Sequence, residues 1–87
     1  MTTFQKQVRV ELTSARKQHG NINSLHEGYA VILEELDEFK EEVWKRSAKR
    51  NKANMLKELI QIAAMAQRVA EDCGLAIHEE VRPCLFT

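Results

Sequence analysis

Between Leu25 and Val43 the chain places Leu25, Tyr29, Ile32, Leu36, Phe39 and Val43 at alternating steps of four and three. An apolar residue recurring every 3.5 positions returns to one side of an α-helix, whereas a strand would alternate every second residue. The seam therefore predicts a long helix whose apolar side must be covered by other helices. Met55, Leu59, Ile62, Ala66, Val69 and Cys73 repeat the same stepping. Leu56, Ala63 and Ala70 add a second row beside them, so this later helix is predicted to be covered on more than one side, as the central element of a bundle. Phe4, Val8, Leu12 and Ala15 mark an earlier helix. Three glycines and one proline leave little room for a turn-rich β architecture.

The boundaries are set by local chemistry. Gly20 in "HGNIN" is the expected stop of the first helix. Ser24 is a good N-cap for the second, with Glu27 three residues on in the capping-box arrangement. The polar segment "KRSAKRNKAN" holds a helix end and a short connection, with Asn51 or Asn54 capping the third helix. The reading is one domain over 1–87, with helices at about 3–18, 24–50 and 52–73 and a tail at 75–87. Pro83 leaves that tail open between a short helix and an extended arm.

A chain of 87 residues buries only roughly 60–65% of its unfolded surface. The two long seams offer more apolar surface than one such chain can cover. The expected fold class is therefore all-α: a helical hairpin plus an N-terminal helix, completing a four-helix-type bundle by homo-oligomerisation, as a homodimer or homotetramer.

Acidic and basic residues number 13 each, so no global charge points to nucleic acid, and none is expected as a partner. The opening "MTTFQKQVRVELTSARK" lacks the apolar core of a signal peptide, and no stretch approaches a membrane span, so no membrane partner is expected. Cys73 and Cys84 do not make a disulfide framework. Free thiols and a cytoplasmic location are expected. Cys73, His78 and Cys84 lack the paired spacing of a zinc site.

Charge is nevertheless concentrated. "EELDEFKEE" puts six carboxylates into Glu34–Glu42, and Lys45, Arg46, Lys49, Arg50 and Lys52 come after it. At about 100° per residue the acids form two stripes flanking the seam, Glu35, Glu38 and Glu42 on one side and Glu34, Asp37 and Glu41 on the other. Glu41 with Lys45 and Glu42 with Arg46 have the favourable i,i+4 order for helix ion pairs, while Glu34, Glu35 and Glu38 have no such cation. A solvated face and a cation site both remain open for these residues.

Glu58 weighs toward the site, because it lies on the edge of the later seam between Met55, Leu59 and Ile62, where an uncompensated carboxylate is costly. If the second and third helices pack antiparallel, Glu58 approaches Glu35 and Glu38, and three carboxylates from two helices face one volume. Mg²⁺ suits such a site, with Mn²⁺ a possible substitute, because it takes oxygen ligands and keeps waters and substrate phosphates in its shell. No glutamate precedes a histidine by three, "HEGYA" lacks a second histidine, and no phosphate-cradling glycine loop is present. His19 and His26 flank the loop as caps or surface groups, and Tyr29 and Trp44 are expected at a core or subunit contact.

"EELDE" (Glu34–Glu38), followed after nineteen intervening residues by "ELIQ" (Glu58–Gln61), resembles the signature of the MazG-like all-α nucleoside triphosphate pyrophosphohydrolases, Glu-Glu-x-x-Glu and then Glu-x-x-Asp. The flanking "HEGYAVILEELDEFKEEVWK" and "KELIQIAAMAQRVAED" look like a short subgroup of phage and mobile-element proteins. The resemblance spans about Gly20 to Gly74. It implies Mg²⁺-dependent hydrolysis of a ribo- or deoxyribonucleoside triphosphate to monophosphate and pyrophosphate, with nucleotide-pool house-cleaning as the purpose. By position it makes Glu35, Glu38 and Glu58 metal ligands and Glu34 an accessory ligand or water-orienting group in the catalytic set. Gln61 stands at the fourth ligand position, where the family has Asp. The alternative is a non-enzymatic oligomeric helical protein, or a MazG-like module with weakened catalysis that binds a nucleotide or another protein.

Overall fold

The computed structural model describes residues 1–76, and the expected tail, with His78, Pro83 and Cys84, otherwise lies outside the described residues. The chain is all-α, with three helices packed together and no strand among the described residues: α1 (Thr3–His19), α2 (Leu25–Val43) and α3 (Lys52–Asp72), with a 3₁₀ turn at Ser47–Lys49. Both α1 and α2 pack on α3 and have no backbone contact with each other, so α3 is the central element. Gly28 meets Val69, and Glu42 meets Asn51. Numbers rising on α2 thus pair with numbers falling on α3, which makes these two helices antiparallel.

Side-chain caps set most of the helix ends. Thr2 and Gln5 form a reciprocal capping box at the start of α1, and Gly20 ends that helix with φ at 67°, a conformation glycine adopts without Cβ strain. Ser24 Oγ accepts from Glu27 N at 3.0 Å. Glu27 Oε1 accepts from Asn23 N at 2.8 Å, one residue earlier than a capping box requires. Asn51, rather than Asn54, caps α3, its side chain accepting from Asn54 N at 3.0 Å.

The second helix is shorter than the expected 24–50, because it stops at Val43. Arg50 folds back and donates to the Val43 carbonyl from Nε and Nη2, at 3.1 and 2.7 Å, satisfying an acceptor that the next helical turn would have used. Glu42, 6% exposed, accepts from Lys45 Nζ at 3.0 Å and from Asn51 N at 2.7 Å. The Asn51 N–H and the Lys45 ammonium hold its carboxyl below the usual range. The helix has ended before Arg46, so Glu42 pairs with Lys45 instead of the expected Arg46.

The core contains Val8, Leu12 and Ala15 of α1 with Ile60, Ala64 and Met65 of α3, and Val31, Ile32 and Ala63 pack against it. One chain covers only part of the two seams. Leu25, Tyr29 and Leu36 of the α2 seam are exposed, as are Leu59 and Ala66 of the α3 seam. Trp44 is 75% exposed, with Lys40 Nζ 5.7 Å from its ring centre, and neither Trp44 nor Tyr29 enters this chain's core. Instead α2 turns Gly28 and Glu42 inward. Its rotation brings the Glu35 side of the seam toward α3.

Gly28 permits that rotation. A Cβ there would lie 2.8 Å from both Cγ atoms of the buried, χ1-restricted Val69. Gly28→Ala gains about 1 kcal/mol of helix propensity, but overpacking costs about 1–3 kcal/mol. A net loss of stability is expected, read as a lower urea midpoint. A midpoint above wild type would show that α2 and α3 separate without penalty.

Candidate functional site

The antiparallel pairing brings Glu35 and Glu38, one turn apart on α2, against Glu58 on α3. One carboxylate oxygen from each lies within 4.8 Å of the others; Glu35 and Glu58 are half-buried and Glu38 is exposed. The three residues expected to share a volume therefore do so. Glu34 is exposed and outside this cluster, though its charge acts on Glu35. Asp37 and Glu41 are exposed and outside it as well.

Concentrated negative charge opposes ionisation. Burial, with the neighbouring Glu38, Glu58 and Glu34 carboxyls, pushes Glu35 up from 4.5 to about 7. Burial and Glu38 raise Glu58 in the same way, with Lys57 opposing. Glu35 and Glu58 therefore keep their protons to higher pH than ordinary carboxyls.

Gln61, one turn from Glu58, completes the cluster with a different chemistry from an acid. Its amide nitrogen donates to Glu35 Oε2 at 2.9 Å and to Glu58 Oε2 at 3.2 Å in the orientation the surrounding acceptors require. The amide thus takes part of the role of a counter-ion, bridging carboxylates from both helices.

The donor set fits a hard divalent cation. Oxygen ligands around Mg²⁺, each at about 2.0–2.1 Å, span at most about 4.2 Å across the ion, so a spread within 4.8 Å closes by small side-chain movements. All three donors are carboxylate oxygens, and no histidine or cysteine joins the set among the described residues. Exposure of Glu38 leaves one side open to water.

A cavity of about 420 Å³ opens beside Glu35, between the α1–α2 connection and Arg68 of α3. Arg68 and its surroundings were not foreseen from the sequence. Its side chain is 5% exposed, and Nη2 donates to the Gly20 carbonyl. Nη1 contacts Met65 Sδ at 3.7 Å, while the buried Nε has no hydrogen-bond partner and lies 3.9 Å from Asp72 Oδ2. A buried donor left unpaired costs about 1–3 kcal/mol.

Asp72 organises this end of the bundle. It accepts from Ile22 N at 2.9 Å and from Arg16 Nη1 at 2.7 Å, and Arg16 Nη2 donates to Glu71 Oε1 at 2.7 Å. These bonds hold the α1–α2 connection, with Ile22 only 4% exposed, against the C-terminal turn of α3. The available signals were a single isoleucine inside a polar loop and the i,i+4 pair Arg68/Asp72 beside the seam.

His19 lines the cavity, and His26 is exposed at the first turn of α2. Cys73 is a free thiol. No helix among the described residues is long and apolar enough to cross a membrane. No family model, curated protein or solved structure matches this chain.

Proposed function

We propose that the chain is a divalent-cation-dependent nucleoside triphosphate pyrophosphohydrolase of the MazG-like kind. The observation that carries this reading is the meeting of Glu35 and Glu38 with Glu58 across two helices, at the positions where the motif resemblance expects ligands. Glu35, Glu38 and Glu58 would hold Mg²⁺ or Mn²⁺, and Gln61, turning its amide oxygen inward, would be a neutral fourth contact. The ion when bound supplies charge neutralisation for the phosphates and lowers the pKa of a water. Glu35 would have to be deprotonated to serve as a ligand, and Glu34, at the exposed rim, is assigned to orient the attacking water. Glu58 ties α3 to this geometry, so that positioning and charge compensation provide most of the catalysis.

The test is pyrophosphate release from a panel of NTPs and dNTPs with Mg²⁺ or Mn²⁺. Release that depends on the metal and on Glu58 supports the reading, and no release from any nucleotide rejects the enzyme. One observation favours a weakened or non-enzymatic module instead: Gln61 already bridges Glu35 and Glu58 with a neutral donor. Gln61→Asp tests whether this position belongs to the site. It removes that donor and adds a fourth carboxylate, so it is expected to lower the metal-free melting temperature and tighten Mn²⁺ binding roughly tenfold, about 1.4 kcal/mol. Equal affinities by isothermal titration would exclude Gln61 from the site.

The assembly belongs to the same proposal. Leu25, Tyr29, Leu33 and Leu36 form an exposed row within about 80° of the α2 circumference, and Leu56 and Leu59 are exposed on α3. A homodimer or homotetramer covering these rows is expected. Light scattering should then give a mass at least twice the 10.0 kDa of the chain, and a stable monomer would reject it.

A further inference from the structure

We propose that residues 77–87, which lie outside the described residues, dock into the groove between α1 and α3 of their own chain. This open groove of about 550 Å³ is lined by Phe4, Val8, Arg9 and Leu12 of α1 with Ala63 and Gln67 of α3. Its volume is many times the share of one water, about 30 Å³, so it takes several side chains. Phe4 is 37% exposed there. Ala63 also belongs to the second apolar row of α3, whose members Leu56, Ala63 and Ala70 the described residues leave exposed or half-buried. An occupant of the groove would give that row part of the cover its sequence calls for.

The end of α3 turns the chain toward this face. Gly74, at φ 74°, donates its N–H to the Glu71 carbonyl at 3.3 Å, and Leu75 N and Ala76 N both reach back to the Ala70 carbonyl, at 2.8 and 2.9 Å. This is the Schellman arrangement, which folds the chain back over the last helical turn. Ala63, Gln67 and Ala70 follow one another at steps of four and three, so the residue that receives the returning chain continues the α3 wall of the groove. Length suffices as well: Ala63 lies about 20 Å back along the helix from Ala76. The eleven residues beyond Ala76 extend to about 36–40 Å. Their chemistry fits the groove. Ile77, Val81, Leu85 and Phe86 carry apolar surface that burial stabilises. Glu79 and Glu80 outweigh Arg82, while Arg9 is the one charged group lining the groove among the described residues. A second copy of the chain is the competing occupant, but tethering at Ala76 gives the chain's own segment an effective concentration on the order of millimolar. Docking within one chain leaves the exposed α2 row for the proposed partner copy.

The experiment places a nitroxide on Cys84 of the full chain, with Cys73→Ser removing the other thiol, and reads paramagnetic broadening of the backbone amides. Spin-labelled, ¹⁵N-enriched chains are diluted into an excess of chains carrying neither label, so that only contacts within one chain keep their full effect. The amides of Phe4, Val8, Leu12 and Ala63 should lose more intensity than those of Leu33 and Leu36 on α2. Val81→Asp combined with Leu85→Asp changes only residues beyond the three helices and should abolish the loss at the groove. Equal intensities throughout, broadening centred on the α2 row, or a loss that the double variant keeps would each overturn the proposal. Broadening at the groove that disappears on dilution also overturns it, because the occupant is then a segment of a second copy.

Discussion

Asp72→Ala is expected to cost the protein about 3–5 kcal/mol, because it leaves the Arg68 guanidinium buried without its facing carboxylate. The same change removes the acceptor of Ile22 N and one of the two ion pairs of Arg16. Domains of this length have total stabilities of roughly 4–13 kcal/mol. The variant should therefore lose roughly a quarter or more of its urea midpoint, or fail to fold. Arg16→Ala is a milder comparison: its side chain is 31% exposed, and its loss leaves Asp72 with Ile22 and Arg68. A loss of roughly 1 kcal/mol is expected there. Equal midpoints for the two variants would show that Arg68 does not depend on Asp72.

Acid should reproduce part of this effect. Burial alone would raise the Asp72 pKa, but the Ile22 N–H and the Arg16 guanidinium outweigh it and hold the carboxyl below 3.8. A depressed folded pKa gives stability that is present above 3.8 and lost as pH falls through the lower folded value. Wild type should lose stability steeply in that acid range, and Asp72→Ala should lose less.

The second large effect is expected for Glu35→Gln. Glu35 titrates near 7 in the folded chain against 4.5 as the ordinary value, so between these limits the folded state binds the extra proton. Without metal its contribution makes stability fall as pH rises through that window, the opposite sign to Asp72. Glutamine removes this slope and should stabilise the metal-free protein at pH 8 by on the order of 1 kcal/mol after solvent screening, equivalent to about 4–8 °C for a chain of this size.

The proposed metal site should reverse the ranking when a cation is added. At a concentration one hundred times its Kd, a bound divalent ion stabilises by about 2.7 kcal/mol. Wild type should gain this with Mn²⁺, and Glu35→Gln should not. Pyrophosphate release should fall on the order of 100-fold or more in the variant. Thermal melts at pH 5 and pH 8, with and without Mn²⁺, check both halves. A variant that keeps the metal response moves the cation away from Glu35, and a wild type with no response rejects the metal site.

The sequence by itself determined that this chain is helical, where its helices begin, and which glutamates are near one another. Seam stepping, Ser24, Asn51 and Gly20 are local signals whose effect depends on neighbours within a few residues. An antiparallel hairpin then has few ways to align, so Glu35, Glu38 and Glu58 converge once the connection is short. The tertiary structure decided which side of each seam is covered. Periodicity specifies a stripe but not the rotation about the helix axis. That rotation is set by the close approach of Gly28 to Val69 and by Glu42 closing on Asn51. The end of α2 at Val43 was also a tertiary decision, because Arg50, seven residues away, supplies the donors that replace the next helical turn. Arg16, Ile22, Arg68 and Asp72 were hidden for the same reason. Each is ordinary in its own segment, and burial of the Arg68 charge becomes tolerable only when α3 and the α1–α2 connection meet around Asp72.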